Sequence, residues 1–510
     1  MDALDGELTY LAELRLISNL PNEITKNMKQ WFDFNKKEEK KLTENMKATI
    51  ALTVAGFAVC GINYLTMPIV TGIISTSEYG LISLYNSWYE IIAIIASLTL
   101  IKPDITNVGL YNCSDNRWKY LSSVLGLTAV STAALAVIYI LFAQPISEFF
   151  KLPHSLMILM LISCCALPAT TVWRYKQRYE YKYVSAFIVV VGSALAAQII
   201  SIAAVWEAKK LGCANLAVVK LWSAAAVNVP VAAVIYVYIC QKGRKLINFP
   251  LWKTTLLTVI PLIPHYLGFA VFHASDKIMI SRMVSTSKAG IYSLSAEIAT
   301  IGMLFWSGLS VSVTPFMHKH LGMKKFNAIN TLLKPAMLFA AAVCIAAALA
   351  APEIIRILAT KEYLEGVYAA PAVAVGLFMA ILYDMFSCVT FFNKKTVMVM
   401  IATITAAITN VVLNYVFIKR FGYIAAGYTT FLSNAVLAGM HYWNVRIMEK
   451  KTMFDIKFIL KLSTVVTVSC MLCNLLYDGY IIRYALLCVL LMFIWKNNRK
   501  FMHTLSLMKV

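Results

Sequence analysis

The sequence has little charge for its length. Only 14% of the 510 residues are Asp, Glu, Lys or Arg, whereas 60% are hydrophobic, and the mean hydropathy is +0.71. Apolar runs recur along nearly the whole chain, and about 20 such residues form a helix long enough to cross a hydrocarbon core about 30 Å thick. Barrel strands would be shorter and would alternate. The composition therefore predicts an all-α, polytopic membrane protein.

Several patterns that signal chemistry are also missing from the sequence. It has no Gly-rich phosphate loop of either nucleotide-binding type, which argues against an intrinsic ATPase. Cys470 and Cys473 have redox spacing, but they lie in an apolar span without a second pair, and we interpret them as packing residues. His318 and His320 have no further metal ligand nearby. We expect no metal, no cofactor and no nucleic-acid partner, because basic loops are typical of membrane topology and of contact with anionic lipid.

Charge placement predicts how the chain crosses the membrane. About fourteen spans lie between residues 48 and 495, and the ninth is expected at 333–358. Residues 1–45 are polar and lack the apolar run of a signal peptide, so they are expected to form a cytoplasmic leader. Whether this leader belongs to the native protein stays open, since Met28 or Met46 would also serve as a start. Most Lys and Arg then fall on the same side, which predicts two cytoplasmic termini in the inner membrane of a cell.

An internal repeat divides the chain. Residues 285–294 (STSKAGIYSL) match residues 75–84 (STSEYGLISL) at six of ten positions, at an offset of 210 residues. The run KLG at 210–212 and the run RFG at 420–422 show the same offset. The repeat predicts a six-helix lobe at 46–245, a second at 246–455, and two extra helices with a cytoplasmic tail at 456–510. Six spans per repeat keep both lobes in the same orientation, so a central cavity between them is the natural binding site.

Proline interrupts the first span of each predicted lobe. Pro68 lies in the first span, and Pro261 and Pro264 lie in the seventh. Proline removes a backbone donor and bends a helix, so bent helices at corresponding positions would let the lobes rock and open the cavity to either side. The alternative is that membrane helices simply tolerate proline.

Several short runs occur in a characteristic order along the chain. They are SEYG at 77–80, YKQRYEYK at 175–182, PLIPH at 261–265, SDKIMI at 275–280, GIYSL at 290–294, Pro315, KEY at 361–363 and NKKT at 393–396. The order and spacing of these runs resemble those of polysaccharide flippases, the Wzx-type proteins of the multidrug/oligosaccharidyl-lipid/polysaccharide exporter superfamily. The resemblance covers roughly residues 46–500. It implies a transporter that moves an undecaprenyl-pyrophosphate-linked oligosaccharide from the inner to the outer leaflet without hydrolysing ATP.

Cationic side chains are the first candidates for a site that binds pyrophosphate. Ionisable residues inside spans cost roughly 2.5 to 3.5 kcal/mol on insertion scales, so those that occur are functional candidates. Lys277 and Arg282 are predicted to bind the anion, and Asp276 to hold Lys277 or a neighbouring cation in place. His265, next to Pro264, is a candidate for contact with phosphate or sugar. The alternatives are an interfacial anchor for the first three and a packed neutral ring for the histidine.

Acidic residues form a second group of candidates. Glu90 and Glu297 lie on the second and eighth spans, and we expect them to bind a coupling proton or sodium ion or to accept sugar hydroxyls. Asp384 on the tenth span is expected to act similarly. For each of the three, an intramembrane salt bridge is the alternative. Coupling to a proton, to sodium or to the membrane potential stays open, because moving negative charge outward is already favoured by the potential.

Competing functions remain at this point. A drug or cation antiporter should carry an acidic residue deep in its first or seventh helix, and a lipid II flippase a basic one in its first. The first span has no charge between Lys47 and Glu78. A membrane polysaccharide polymerase or ligase needs a large outer loop, whereas every loop here is short. We expect a non-enzymatic flippase whose partners are the lipid-linked oligosaccharide and membrane lipids, with a polymerase and glycosyltransferases acting alongside it.

Overall fold

The computed structural model describes residues 51, 53–113, 116–449 and 453–507. The described residues fold into helices joined by short loops, and they contain no strand, so the predicted all-α class is confirmed. The predicted leader at 1–45 lies outside the described residues.

The first nine helices form what we call the N-terminal lobe. They are α1 (Thr53–Ile73), α2 (Thr76–Ser97), α3 (Pro103–Asn112), α4 (Arg117–Leu141), α5 (Ala143–Phe150), α6 (His154–Ala166), α7 (Pro168–Tyr179), α8 (Tyr183–Lys210) and α9 (Leu216–Gly243).

The next helices, α10 to α17, form what we call the C-terminal lobe. α15 is its most buried helix and is the centre of its apolar core. The helices are α10 (Phe249–Val259), α11 (Ile263–Met283), α12 (Thr286–Gly322), α13 (Phe326–Leu349), α14 (Ala351–Leu358), α15 (Ala370–Phe392), α16 (Thr396–Phe421) and α17 (Ala425–Glu449), with 3-10 turns at Ile260–Leu262 and Lys361–Ala369.

Two further helices, α18 (Ile456–Leu476) and α19 (Tyr480–Leu507), pack on the C-terminal lobe. Asp455 caps α18 by accepting from the Phe458 amide at 3.1 Å. It also accepts a bond of 2.7 Å from the Lys334 Nζ of α13, and this bond holds the pKa of Asp455 below its ordinary value. At the other end of the pair, the buried Arg483 of α19 bonds to Glu353 on α14. Charged bonds therefore fasten the added pair to the lobe near both ends.

The described residues contain 12 helices or helix pairs that are long and apolar enough to cross a membrane. Two more, α2 with 22 residues and α17 with 25, are long enough at about 1.5 Å per residue but carry more polar side chains. Together they give the predicted number of spans, and the chain is a multi-pass membrane protein.

One predicted span boundary was wrong. The stretch 333–358, expected to be one span, is divided into α13, which ends at Leu349, and the short helix α14. Pro352 lies in the first turn of α14, where a residue without an amide hydrogen is well accommodated because the first turn leaves that donor unpaired in any case. α5, which carries Pro145, is the counterpart of α14 in the N-terminal lobe, and both helices have eight residues.

The repeated decapeptide forms the start of α2 in one lobe and of α12 in the other. Its first serine is the N-cap in both, since Ser75 accepts from the Glu78 amide and Ser285 from the Lys288 amide. A serine cap satisfies backbone donors that the first turn leaves unpaired, which explains why this residue recurs at the offset.

The two copies of the decapeptide also contact each other. Ser83 and Ser293, 210 positions apart, share a hydrogen bond between their hydroxyls. A Cβ atom built on Gly80 would lie 1.9 Å from the Thr286 carbonyl oxygen, and one built on Gly290 would lie 2.3 Å from the Thr76 carbonyl oxygen. The two helices therefore cross where only glycine fits, with equivalent residues of the repeat on either side of the crossing.

Candidate functional site

A cavity lies between the lobes beneath this crossing. Its empty volume, including its opening, is about 950 Å³. Four of the surrounding helices belong to the N-terminal lobe (α1, α2, α8 and α9) and two to the C-terminal lobe (α11 and α12). Its walls include Asn63, Tyr64, Asn86, Gln198, Lys220, Lys277, Ser293, Glu297 and Thr300.

Two lysines from opposite lobes line this central cavity. Lys220 comes from α9 and Lys277 from α11, and both side chains are only partly exposed. Glu297 on α12 accepts a bond of 3.2 Å from the Tyr64 hydroxyl, which spans the two lobes. Asn63 accepts a bond of 2.8 Å from the Gln198 Nε2. The cavity therefore offers two cations, one carboxylate and several neutral donors and acceptors at membrane depth.

The cavity is closed at one end. The α1–α2 and α11–α12 loops, residues 74–75 and 284–285, lie together at this end, which we call the gate face. The Thr76 and Ser287 hydroxyls are 2.7 Å apart there. About 10 Å further into the structure, Ser83 and Ser293 bond to each other at the cavity wall.

Two further contacts join the lobes at the gate face, and they are related by the repeat. Thr71, near the end of α1, donates to the Leu358 carbonyl at the end of α14 at 3.2 Å. Ser281, which follows Thr71 by the same 210 positions, accepts at its carbonyl from the Lys151 Nζ beyond α5 at 3.4 Å. Each lobe's short helix, or the residue that follows it, thus contacts the first proline-containing span of the other lobe.

Arg282 belongs to the gate face and not to the cavity wall. Its guanidinium donates to the Phe149 carbonyl and lies 4.4 Å from the centroid of the Phe149 ring. Arg282 follows Lys277 by five residues, which is a rotation of about 140° around a helix, so the two side chains leave α11 in different directions. The structure therefore does not bring these two predicted anion-binding residues together.

Asp276 is bonded to neutral side chains, whereas the sequence analysis predicted a cation as its partner. Its carboxylate accepts bonds of 2.7 Å from both the Tyr292 hydroxyl and the Asn414 Nδ2, and a further bond from Thr430. Asp276 is 6% exposed and precedes Lys277 by about 100° on the helix, so it points into the C-terminal lobe. Its bonds connect α11 with α12, α16 and α17.

Glu90 and His265 lie near a further lysine that the sequence analysis did not select. The Glu90 carboxylate is within electrostatic range of Lys277 and of Lys102, the residue before α3. Lys102 also acts on His265, whose buried Nδ1 has no hydrogen-bond partner in the described part of the chain. Glu90 lies in α2, Lys102 before α3 and His265 in α11, and none of these three lines the central cavity.

The remaining predicted residues have separate places. Asp384 on α15 accepts a bond of 2.8 Å from the Trp306 Nε1 of α12. Pro261 lies in the 3-10 turn that interrupts the seventh span, and Pro264 lies in the first turn of α11. Pro68 lies inside α1, five residues before its end.

Three residues that line the central cavity were not chosen as site residues, although Lys220 belongs to the few ionisable residues within spans that the sequence analysis considered. Lys220, Asn63 and Gln198 line the central cavity, and each is a polar residue within an otherwise apolar span. That isolation was the available signal, since a polar group in contact with lipid lacks hydrogen-bond partners. The sequence analysis favoured the proline-interrupted seventh span and gave these positions less weight.

Two known protein families resemble this chain in sequence. The sequence profile of the family described as polysaccharide biosynthesis protein matches residues 46–306, and that of the MatE family matches residues 261–416. No protein of curated function matches the chain.

Solved structures share the fold. The lipid II flippase MurJ in its inward closed conformation is 16% identical with a TM-score of 0.63, covering 90% of this chain and 100% of its own. An inward-facing multidrug resistance MATE transporter of the MOP superfamily is 14% identical with a TM-score of 0.59, covering 76% and 94%. A MATE protein in a bent conformation is 14% identical with a TM-score of 0.53, covering 83% and 96%.

Proposed function

This chain belongs to the polysaccharide biosynthesis protein family of the MOP superfamily, and from that premise we propose that it flips an undecaprenyl-pyrophosphate-linked oligosaccharide across the cytoplasmic membrane. The cargo moves from the inner to the outer leaflet by alternating access between the two lobes, and the chain acts as a transporter without catalysing a reaction.

The observation that carries this proposal is the pair of lysines in the central cavity. A pyrophosphate brings about two negative charges into a region where water is scarce, and burying such charge without a partner costs far more than a transport cycle can supply. Lys220 and Lys277 provide compensating charge from opposite lobes. They bind the cargo best when both lobes surround it, and they release it as the lobes separate.

The proposal also includes the orientation of the protein in the membrane and the driving force for transport. With both termini in the cytoplasm, the gate face is the outer one, and the structure is closed toward the outside. Moving about two negative charges outward across an inside-negative membrane is favoured by roughly 5 kcal/mol per 100 mV. The membrane potential is then a sufficient driving force. A coupled proton or sodium ion is an addition and not a requirement.

The test is flipping in reconstituted vesicles. Purified protein is inserted into liposomes that contain a fluorescent undecaprenyl-pyrophosphate oligosaccharide, and outer-leaflet appearance is measured with an impermeant lectin. Lys220→Ala and Lys277→Ala should each slow flipping roughly 10- to 100-fold, since a hydrogen bond to a charged group contributes about 1.5 to 3 kcal/mol. The matched control is Lys419→Ala, an exposed lysine at the end of α16.

Alternatives within the superfamily are outcomes of the same assay. A lipid II flippase would move lipid II in preference to the oligosaccharide, and a drug antiporter would move neither. Two lysines in the cavity repel cationic drugs, which argues against the antiporter. Unchanged flipping in both single variants and in the double variant would remove these lysines from the mechanism. We propose that glycosyltransferases supply the cargo and that a polymerase consumes it.

A further inference from the structure

The N-terminal lobe contains two smaller cavities in series with the central one. The first has an empty volume of about 540 Å³ and lies between α2, α6 and α9. The second has an empty volume of about 600 Å³ and lies between α1, α7, α8 and α9. Asn86 lines both the central cavity and the first of these, and Asn228 lines both the first and the second. We call the two smaller cavities together the side chamber.

The side chamber differs from the central cavity in its chemistry. The central cavity carries Lys220, Lys277 and Glu297, whereas the walls of the first part of the side chamber carry no ionisable group except tyrosine. The second part carries a single cation, Arg174, in the middle of α7. Amides, hydroxyls and aromatic rings make up the polar lining. The first part of the side chamber is therefore lined by neutral hydrogen-bonding groups, with the ionisable groups of the central cavity on one side of it and Arg174 on the other.

The two asparagines occupy the middle of their helices. Asn86 is in the central turn of α2, and Asn228 lies about 18 Å along α9 from its first residue. Within the described ranges neither side chain has a hydrogen-bond partner. An amide in contact with lipid would leave up to four hydrogen-bonding positions unused, so these groups face water or a ligand.

Proline explains why space exists at this point. Pro230 lies inside α9 two residues beyond Asn228, and it leaves the Ala226 carbonyl without its helical donor. On the facing wall, α6 ends at Ala166 and α7 begins at Pro168, so that wall is interrupted too. Interrupted helices cannot pack continuously, so space remains between them.

Aromatic faces complete the chamber. Tyr85 and Tyr89 lie one helical turn apart on α2 with nearly parallel rings, at 13° and 6.3 Å between centroids. Trp173 lines the second part. Aromatic faces beside neutral amides and hydroxyls suit a pyranose, which has apolar faces and a rim of hydroxyls.

We propose that the side chamber receives sugar residues of the cargo while the pyrophosphate binds at the lysines, and that Asn86 and Asn228 determine which head groups are accepted. This inference rests on the flippase function proposed above and adds to it a location for the sugars. The N-terminal lobe then recognises the carbohydrate, and the lysine pair recognises the pyrophosphate that every cargo of this class shares.

The experiment compares two cargos in reconstituted vesicles. One is undecaprenyl pyrophosphate carrying a single N-acetylglucosamine, and the other carries the full repeat unit isolated from cells that express this protein. Asn228→Leu should lower the ratio of long-cargo to short-cargo flipping about tenfold, because one or two hydrogen bonds to sugar are lost. Asn228→Ser, which keeps one hydroxyl, should give a smaller fall in the same direction. Lys277→Ala should slow both cargos and leave the ratio near its original value.

Controls separate this inference from the parent proposal. Val234→Leu changes an exposed side chain on the same helix and should leave the ratio unchanged. An Asn228→Leu protein that elutes and melts like the parent but keeps the parent ratio would overturn the chamber assignment, as would an equal fall for both cargos. If Asn228→Leu does not fold, the ratio in Asn228→Ser and in Asn86→Ala decides. A parent protein that flips neither cargo would instead refute the flippase function, and the chamber assignment with it.

Discussion

The glycine crossing at the gate face allows a direct test of how the lobes close. Gly80→Ala places a methyl group 1.9 Å from the Thr286 carbonyl oxygen, well inside van der Waals contact, and that oxygen belongs to a helix backbone that cannot rotate away. Relief requires the two helices to separate by more than an ångström. Overpacking of this kind costs about 1 to 3 kcal/mol. The cost falls on the closed gate alone, so the closed population should drop roughly 5- to 150-fold relative to the open one.

Disulfide cross-linking measures this population. The Thr76 and Ser287 hydroxyl oxygens lie 2.7 Å apart, so cysteines at these two positions are close enough to form a bond only when the gate is closed. The background carries serine at the exposed native cysteines 165, 213 and 488. Gly80→Ala should slow cross-linking of the pair by up to the factor given above, because the rate follows the fraction of molecules in which the gate is closed.

Gly72→Ala is the matched control, because a Cβ atom at that position has nothing within 4 Å. It should cross-link at the parental rate. If Gly80→Ala also cross-links at that rate, the close approach of α2 and α12 does not hold the gate shut, and the reasoning from the crossing is refuted.

Three other substitutions test separate parts of the structure. Asp276→Asn should reduce the free energy of unfolding by about 1 to 3 kcal/mol in a thermal melt in detergent, since an amide placed among three donors loses acceptor capacity. An unchanged melt would contradict that network. Arg282→Met should weaken the contact with Phe149 and speed the opening and closing of the gate, with little effect on the affinity for the cargo. A large loss of affinity would instead show that Arg282 binds the cargo. Arg483→Met should destabilise the protein more than the double variant Arg483→Met with Glu353→Gln does, because the single change leaves the Glu353 carboxylate with only the more distant cation Arg356, at 3.9 Å. Equal melts would argue against the ion pair.

The fold was predictable because it depends on long apolar runs and on a repeat with a constant offset. What the repeat could not show is that its two copies contact each other, since equal sequences specify equal local structure and not their relative position. The contact depends on Gly80 and Gly290, whose lack of a side chain acts only when a second helix is present. The turn before α14 could not be predicted either. It follows a long apolar run, and hydropathy does not change where a helix changes direction.

The site was predictable in part. Lys277 and Glu297 line the central cavity as the search for ionisable residues within spans suggested. Arg282 and Asp276 do not, because neighbours on a helix point in different directions, and the sequence alone does not say which direction faces the other lobe. Lys220 is also an ionisable residue within a span, but only the packing of α9 beside α2 shows that it lines the cavity.

The appended pair α18 and α19 makes the duplicated halves unequal. Fastened to α13 and α14 through Asp455 and Arg483, these helices enlarge the perimeter that the C-terminal lobe offers to lipid. A rocking motion then displaces more acyl chains on one side of the symmetry axis than on the other. Bilayer thickness and lateral tension should therefore change the opening equilibrium mainly through the C-terminal lobe. The physical state of the membrane would then affect the rate of export.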